Sequence, residues 1–193
     1  TYAPGVPVGA VANYSFGQTN LNIGSLKTEV TGVSGAVVTF TKTEYYANGT
    51  QANSHSGLAE NVSSQQGFAY MYYIAANLAI GDPLYSGSVL YKINGTLTNY
   101  NIAGGTRTVN YMNVTVMSGS IHIVAYWDKP TGLMVKFSYH QTGPGAAWWA
   151  NFTLTSTSLW GTGAGGIPTL YLIGGGAAVA VVVAAWLLLR RRK

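Results

Sequence analysis

This sequence predicts an all-β domain, an antiparallel sandwich or barrel-like sheet, followed by a single C-terminal transmembrane α-helix. Three observations predict it. From Val8 to Leu159 short runs rich in Val, Thr, Tyr, Phe and Ile are broken every eight to twelve residues by Gly, Asn, Pro or Ser, the spacing of β-strands and their turns. Leu170 to Leu189 is then a run of twenty residues without a charged or strongly polar side chain. Arg190, Arg191, Arg192 and Lys193 follow it at once.

Taken in order, residues 1–7 carry Pro4 and Pro7 and read as an extended, exposed arm. Thr1 has neither an initiator Met nor an apolar segment before it, so a signal peptide is expected to have been cleaved. Residues 8–159 form the β-domain, in which Ala75 to Ala79 is the one place suited to a helical turn. Asp128-Lys129-Pro130-Thr131-Gly132 has the Pro and Gly of a turn, so the strands on either side of it should pair. Pairing symmetric about Pro130 sets Ile121, Ile123, Ala125 and Trp127 against Tyr139, Phe137, Val135 and Leu133. Every one of these is apolar, and the even positions make a mixed outer face. Asn94-Gly95 is the dipeptide of a type I′ hairpin.

Asn13, Asn48, Asn61, Asn94, Asn113 and Asn151 each begin an Asn-x-Ser/Thr sequon, the acceptor of N-linked glycans outside the cytoplasm. A glycan cannot point inward. Asn113 outside therefore places Met112, Val114 and Val116 inside, and Asn151 outside places Ala150, Phe152 and Leu154 inside. Residues 160–169, with Gly161 to Gly166, read as a linker. Residues 170–189, at 1.5 Å per residue, span about 30 Å, the thickness of a bilayer's hydrocarbon core. The basic tail, residues 190–193, marks the cytoplasmic side. Gly176, Ala180 and Ala184, with Gly174 and Ala178 beside them, make one side of that helix smooth enough for a partner helix to approach.

Composition excludes more than it assigns. Hydrophobic residues are 48% of the chain, charged residues only 8% and cysteines absent, so disulfides and thiolate metal sites are ruled out. The net charge of +5 invites a nucleic-acid reading. Four of the ten basic residues form the tail, however, and the remaining six against five acids leave the body at +1. No nucleic-acid partner is expected. So few carboxylates also suit an acid exterior, where ionised pairs lose their value, and the domain is expected to stay folded near pH 2 to 3.

Chemistry-bearing constellations are sparse. His122 and His140 fall at diagonal positions on the outer face of the hairpin, a little far apart for joint ligation, and no carboxylate completes a set. His55 lies in a polar stretch that reads as a loop. Asp128 with either hairpin histidine lacks a nucleophile elbow, and the N-terminal Thr1 is better explained by signal cleavage than by catalysis. In Tyr45-Tyr46, Tyr72-Tyr73 and Trp148-Trp149, one ring of each pair should be core and the other surface. No catalytic residue, metal site or cofactor is expected beyond N-linked glycans.

Asn77-Leu78-Ala79-Ile80-Gly81-Asp82, Arg107-Thr108-Val109-Asn110-Tyr111 and Tyr126-Trp127-Asp128-Lys129-Pro130-Thr131-Gly132-Leu133 together resemble a group of archaeal secreted or membrane-anchored β-domain surface proteins of thermoacidophiles. The resemblance runs loosely over residues 8–155 and rests on turn and strand signals. It implies a fold and a location and no activity. The function expected is therefore noncatalytic: a membrane-anchored extracytoplasmic glycoprotein with a structural or interaction role, serving a membrane complex as accessory subunit or lying in a surface layer. The alternative is a binding module that presents a small solute, sugar or metal to a membrane partner. The partners expected are membrane lipid and other membrane or surface-layer subunits.

Overall fold

The computed structural model describes residues 2–19, 21–64, 71–86, 89–142 and 147–160. These hold eleven strands: β1 (Val11–Gln18), β2 (Ile23–Ser34), β3 (Val37–Tyr46), β4 (Gln51–Asn61), β5 (Pro83–Ser86), β6 (Val89–Lys92), β7 (Gly95–Ile102), β8 (Gly105–Val116), β9 (Ile121–Asp128), β10 (Met134–Gln141) and β11 (Trp148–Thr157). Nine of them form one antiparallel sheet in the order β4-β3-β2-β1-β11-β10-β9-β8-β7, and β5 with β6 forms a separate hairpin. The sheet is thus two meanders, β1 to β4 and β7 to β11, zipped together where the first strand pairs with the last. Among the described residues no helix is long and apolar enough to cross a membrane. The apolar run 170–189, its linker and its basic tail lie outside the described residues.

Period-two patterning builds each strand. In β1 Ala12 and Tyr14 are buried, in β2 Leu26, Thr28 and Val30, in β9 Ala125 and Trp127, and in β11 Ala150, Phe152 and Leu154, while the residues between them are more exposed. The inner face is one continuous core. It is also strongly curved, because Phe40 on β3 packs against Tyr72 at 5.8 Å and Tyr73 at 5.2 Å, while Trp127 on β9 donates its indole N–H to the Met71 carbonyl at 2.8 Å. Those strands are five neighbour spacings apart, about 24 Å in a flat sheet. They reach adjacent residues only because the sheet curls, as its natural twist favours.

What it curls around is a strap, residues 71–78, that crosses the concave side. Tyr72, Tyr73, Ile74, Ala75 and Leu78 are buried on it. Full burial of each large side chain stabilises by roughly 1.5–3 kcal/mol. The strap is no strand of the sheet, so its backbone polar groups need other partners. Side chains supply several. Glu60 on β4, 3% exposed, accepts the N–H groups of Tyr72 at 2.9 Å and Tyr73 at 2.6 Å. Asn110 on β8 donates to the Leu78 carbonyl at 2.8 Å. The turn between β9 and β10 supplies two more, with Ile74 N–H donating to Gly132 O at 2.9 Å and Asn77 N–H to Lys129 O at 2.7 Å.

Several sequence expectations change. From Lys136 onward the hairpin across Pro130 keeps its predicted faces, while Met134, expected on the outer face, is buried. The register moves by two residues, with His140 paired to His122 and Phe137 to Ala125, past an irregularity between Met134 and Lys136. The turn, where Asp128 N–H donates to Leu133 O, already moves the pairing by one residue, and the extra residue between Met134 and Lys136 moves it by one more. The two together slide the strand without turning its faces over. Asn94-Gly95 is not a hairpin turn, since β6 pairs with β5 and β7 with β8; a Cβ on Gly95 would come within 2.6 Å of the Tyr111 ring, so the glycine makes room for that ring. Residues 75–79 are turn and irregular backbone rather than helix, with Asn77 at φ 58°. The segment 51–57 belongs to strand β4 rather than to a loop. As an outer strand it buries almost nothing there, so it carries no apolar alternation to read. Tyr72 and Tyr73 are both buried, because the strap is enclosed rather than lying on one sheet face. The N-terminal arm is packed in part, with Val6 5% exposed and Ala3 O accepting the Ala76 N–H at 3.0 Å.

Two predictions follow from the strap. Gly132 has φ +70°, and a Cβ on it would overlap the Ile74 carbonyl, so Gly132→Ala should destabilise by about 3 kcal/mol or more, read as a drop in the urea midpoint. Burial pushes the Glu60 carboxyl up to about 8, against the pull of the two backbone N–H donors. An unfolded Glu releases its proton near 4.5, so between about 4.5 and 8 the folded state binds the extra proton and stability falls as pH rises. The unfolding free energy should be higher at pH 4 than at pH 8.5 by a few kcal/mol, and Glu60→Gln should remove most of that slope; an unchanged slope in the variant counts against this origin.

Candidate functional site

The convex face of the sheet carries most of the residues that chemistry or recognition could use, in rows set by strand register. One row runs Asn113, Val124, Ser138, Asn151, Gly17 across β8, β9, β10, β11 and β1. The next runs Thr115, His122, His140, Trp149 across β8 to β11. On the other side lie Tyr111, Tyr126, Lys136 and Thr153. Asn113 and Asn151 thus share one face, three strands and about 14 Å apart.

None of the six sequon asparagines is buried. Asn48, Asn94, Asn113 and Asn151 are exposed, Asn13 and Asn61 half-buried. Asn48 and Asn61 each fold their carboxamide oxygen onto their own sequon hydroxyl, Thr50 Oγ1 at 2.7 Å and Ser63 Oγ at 3.0 Å, and onto the same residue's backbone N–H. These are Asx turns. Asn94 Oδ1 accepts the Asn113 N–H at 2.7 Å, and Asn13 Nδ2 donates to Ser156 Oγ at 3.0 Å. The inward residues expected from the sequons also hold, with Met112, Ala150, Phe152 and Leu154 buried and Val114 and Val116 partly so.

The register shift brings His122 and His140 directly opposite each other, both exposed. His122 Nε2 lies 2.8 Å from Asn113 Oδ1. Among the described residues no three His, Asp or Glu side chains gather in a way that would hold a metal ion. Asp128 sits at the opposite end of the same strand, six residues from His122 and about 20 Å away, so the two form no catalytic pair. His55, on β4, is exposed and pairs in register with Lys42. Thr1 lies outside the described residues, as do Gly174, Gly176, Ala178, Ala180 and Ala184 and the basic residues 190–193. A shallow open depression at the β7–β8 turn is lined by Asn101 to Thr106, with no titratable group converging on it.

The most completely built polar cluster serves structure. The Asp128 carboxylate, fully buried, accepts Arg107 Nε at 2.8 Å and Nη2 at 3.2 Å, and Thr131 Oγ1 at 2.6 Å and N–H at 3.2 Å. These bonds fix the turn on which the strap hangs. The Arg107 guanidinium in turn lies 4.7 Å from the Trp160 ring centroid, a cation–π contact that ties the last described residue to the domain. Sequence reading placed Asp128 in its turn and set aside a histidine pairing for it, and it missed Arg107 as its counter-charge and Glu60 and Asn110 as partners of the strap. Their pairings span 21, 12 and 32 residues and leave no local pattern.

The chain matches no protein-family profile, and neither a curated protein nor a solved structure is significantly similar to it.

Removing Arg107 leaves a buried carboxylate without its counter-charge. Arg107→Ala should cost about 3 kcal/mol in chemical unfolding, and Arg107→Lys should recover only part of it because the two-pronged contact is lost.

Proposed function

We propose that this chain is a noncatalytic, membrane-anchored extracytoplasmic glycoprotein whose β-domain acts in structure or interaction, as an accessory subunit of a membrane complex or in a surface layer. The observation that carries the reading is the pairing of two features. Six sequons sit on a β-domain at positions that are exposed or half-buried, and the domain precedes twenty apolar residues capped by four basic ones. In this reading residues 170–189 cross the bilayer, residues 190–193 lie in the cytoplasm, and the small residues Gly174, Gly176, Ala178, Ala180 and Ala184 face a partner helix. The resemblance to archaeal surface β-domains points the same way.

The buried polar groups of the domain support a scaffold. Glu60, Asp128 and Asn110 are each occupied in holding backbone or a counter-charge. A module for a small solute or sugar would need concave space with converging polar groups; among the described residues, the open turn at 101–106 does not offer it.

The test is gentle detergent extraction of the full chain from its native membrane, with identification of copurifying chains and of modified asparagines. A membrane-fraction protein with occupied sequons and a stoichiometric partner is expected. Replacing Gly176 and Ala180 with Leu should reduce recovery of the partner several-fold. Release of the unmodified chain into the aqueous fraction would overturn the reading.

A further inference from the structure

Trp149 and Asn151 lie two residues apart on β11, so their side chains leave the same face of the strand, with Cα atoms about 7 Å apart. Gly17 on β1 is the residue directly opposite Asn151. A Cβ built on Gly17 would lie 3.0 Å from Cζ3 and 3.1 Å from Cη2 of Trp149. The indole therefore leans across the strand gap onto bare glycine backbone, at the foot of the Asn151 side chain. Any larger residue at 17 would lift it. Trp149 nevertheless remains 39% exposed, so a broad, fixed aromatic surface is held in water beside a sequon asparagine. Asn151 is exposed too, and among the described residues its carboxamide is not held by the hydrogen bonds that engage Asn13, Asn48, Asn61, Asn94 and Asn113.

An indole packed in part on glycine backbone, with 39% of the residue open to solvent, suits one class of ligand well. The C–H face of a pyranose ring is weakly positive and apolar, and it packs on the electron-rich aromatic face through dispersion and C–H contacts, while the hydroxyls at the ring's rim stay hydrated. A sugar attached to Asn151 would be confined to the reach of that surface, so the contact would form at high effective concentration.

We propose that Asn151 carries an N-linked glycan whose first sugar rings lie on the Trp149 indole, which makes Trp149 a carbohydrate platform belonging to this sequon. The inference rests on the glycoprotein reading above. Attachment joins the Asn151 amide nitrogen to the anomeric carbon of a sugar activated as a lipid-linked phosphate ester. The anomeric C–O bond breaks, the lipid phosphate leaves with the electron pair, and the amide nitrogen gives up one proton. The bound sugar then covers the indole and the Gly17 backbone beneath it. Trp149 would otherwise be a large apolar group standing on a polar face.

The test is a double-mutant cycle on the full chain made in its native glycosylating host, comparing wild type, Trp149→Ala, Asn151→Gln and the double variant, with glycopeptide mass spectrometry on each. Chemical unfolding of wild type and Trp149→Ala should differ in the folded-to-unfolded ratio by roughly three- to tenfold more than the same pair carrying Asn151→Gln. Sugar protons of the first rings should show upfield ring-current shifts in wild type that disappear in Trp149→Ala. The wild-type shifts keep the proposal testable even where a variant folds poorly. Modification at other sequons but not at Asn151 would overturn the inference while leaving the glycoprotein reading intact, as would an additive cycle with unshifted sugar protons. Absence of glycan at every sequon would overturn both.

Discussion

The fold depends on one buried carboxyl group. Glu60 ends the first meander and meets the strap as the chain returns across the concave face, taking two successive backbone N–H groups that no strand partner satisfies. A buried N–H without an acceptor costs about 1–3 kcal/mol, so leaving two in a row unmet would offset a large share of what the strap's burial contributes. With the strap in place, the sheet has something to curl around. Tyr72 contacts Phe40, Tyr14 and Phe152 on three different strands. The core is therefore organised from its centre outward, and the sheet acts as the wrapping.

Wrapping leaves two outer strands, β4 and β7, whose free edges would template pairing with other chains. Both are interrupted. The β3–β4 register breaks between Phe40 and Lys42, near Gly57 at φ +69°, and the β7–β8 register breaks between Leu97 and Tyr100, with Asn99 at φ +59°. Such bulges bend an edge away from a flat partner. Sequons stand at the ends of the same strands: Asn48 shortly before β4, Asn61 at its end and Asn94 just before β7. A chain with few charges has few edge lysines to spare for this protection, and bulky hydrated glycans at the ends of both strands would supply it by other means.

The convex face and the strand faces were legible in the sequence because they depend on local alternation, which Ile121 to Trp127 and Ala150 to Leu154 display openly. A residue that must point outward, such as Asn113, fixes its neighbours by parity alone. The strap was not legible. Met71 to Leu78 is apolar at nearly every position, which suits a strand, a helical turn or an enclosed segment equally. Its true partners are single polar side chains far away in sequence. The two-residue slip at the hairpin came from one residue in the turn and one in a bulge, and nothing in Leu133 to Lys136 distinguishes an extra residue from a regular one. The platform at Trp149 stayed hidden for another reason, since it needs Gly17, and β1 and β11 meet only once the whole chain has closed.

The same polar groups decide how the domain responds to acid, and they do not all pull one way. Burial pushes Glu44 up, but its Lys42 partner, hydrogen-bonded at 2.7 Å, brings it to a net position below the ordinary carboxylate value. That group contributes stability above the unfolded pKa and loses it as pH falls through the folded one. Glu60 has the opposite sign, with its contribution complete below about 4.5 and lost as pH rises toward 8. Glu44 is only partly buried, so solvent screening keeps its share small. Glu60 is enclosed at the centre of the fold, and its proton is the one that counts. A domain with five acidic residues, one of them strongest when protonated at its structural centre, is therefore arranged to gain more from the Glu60 proton than it loses at the Lys42–Glu44 pair.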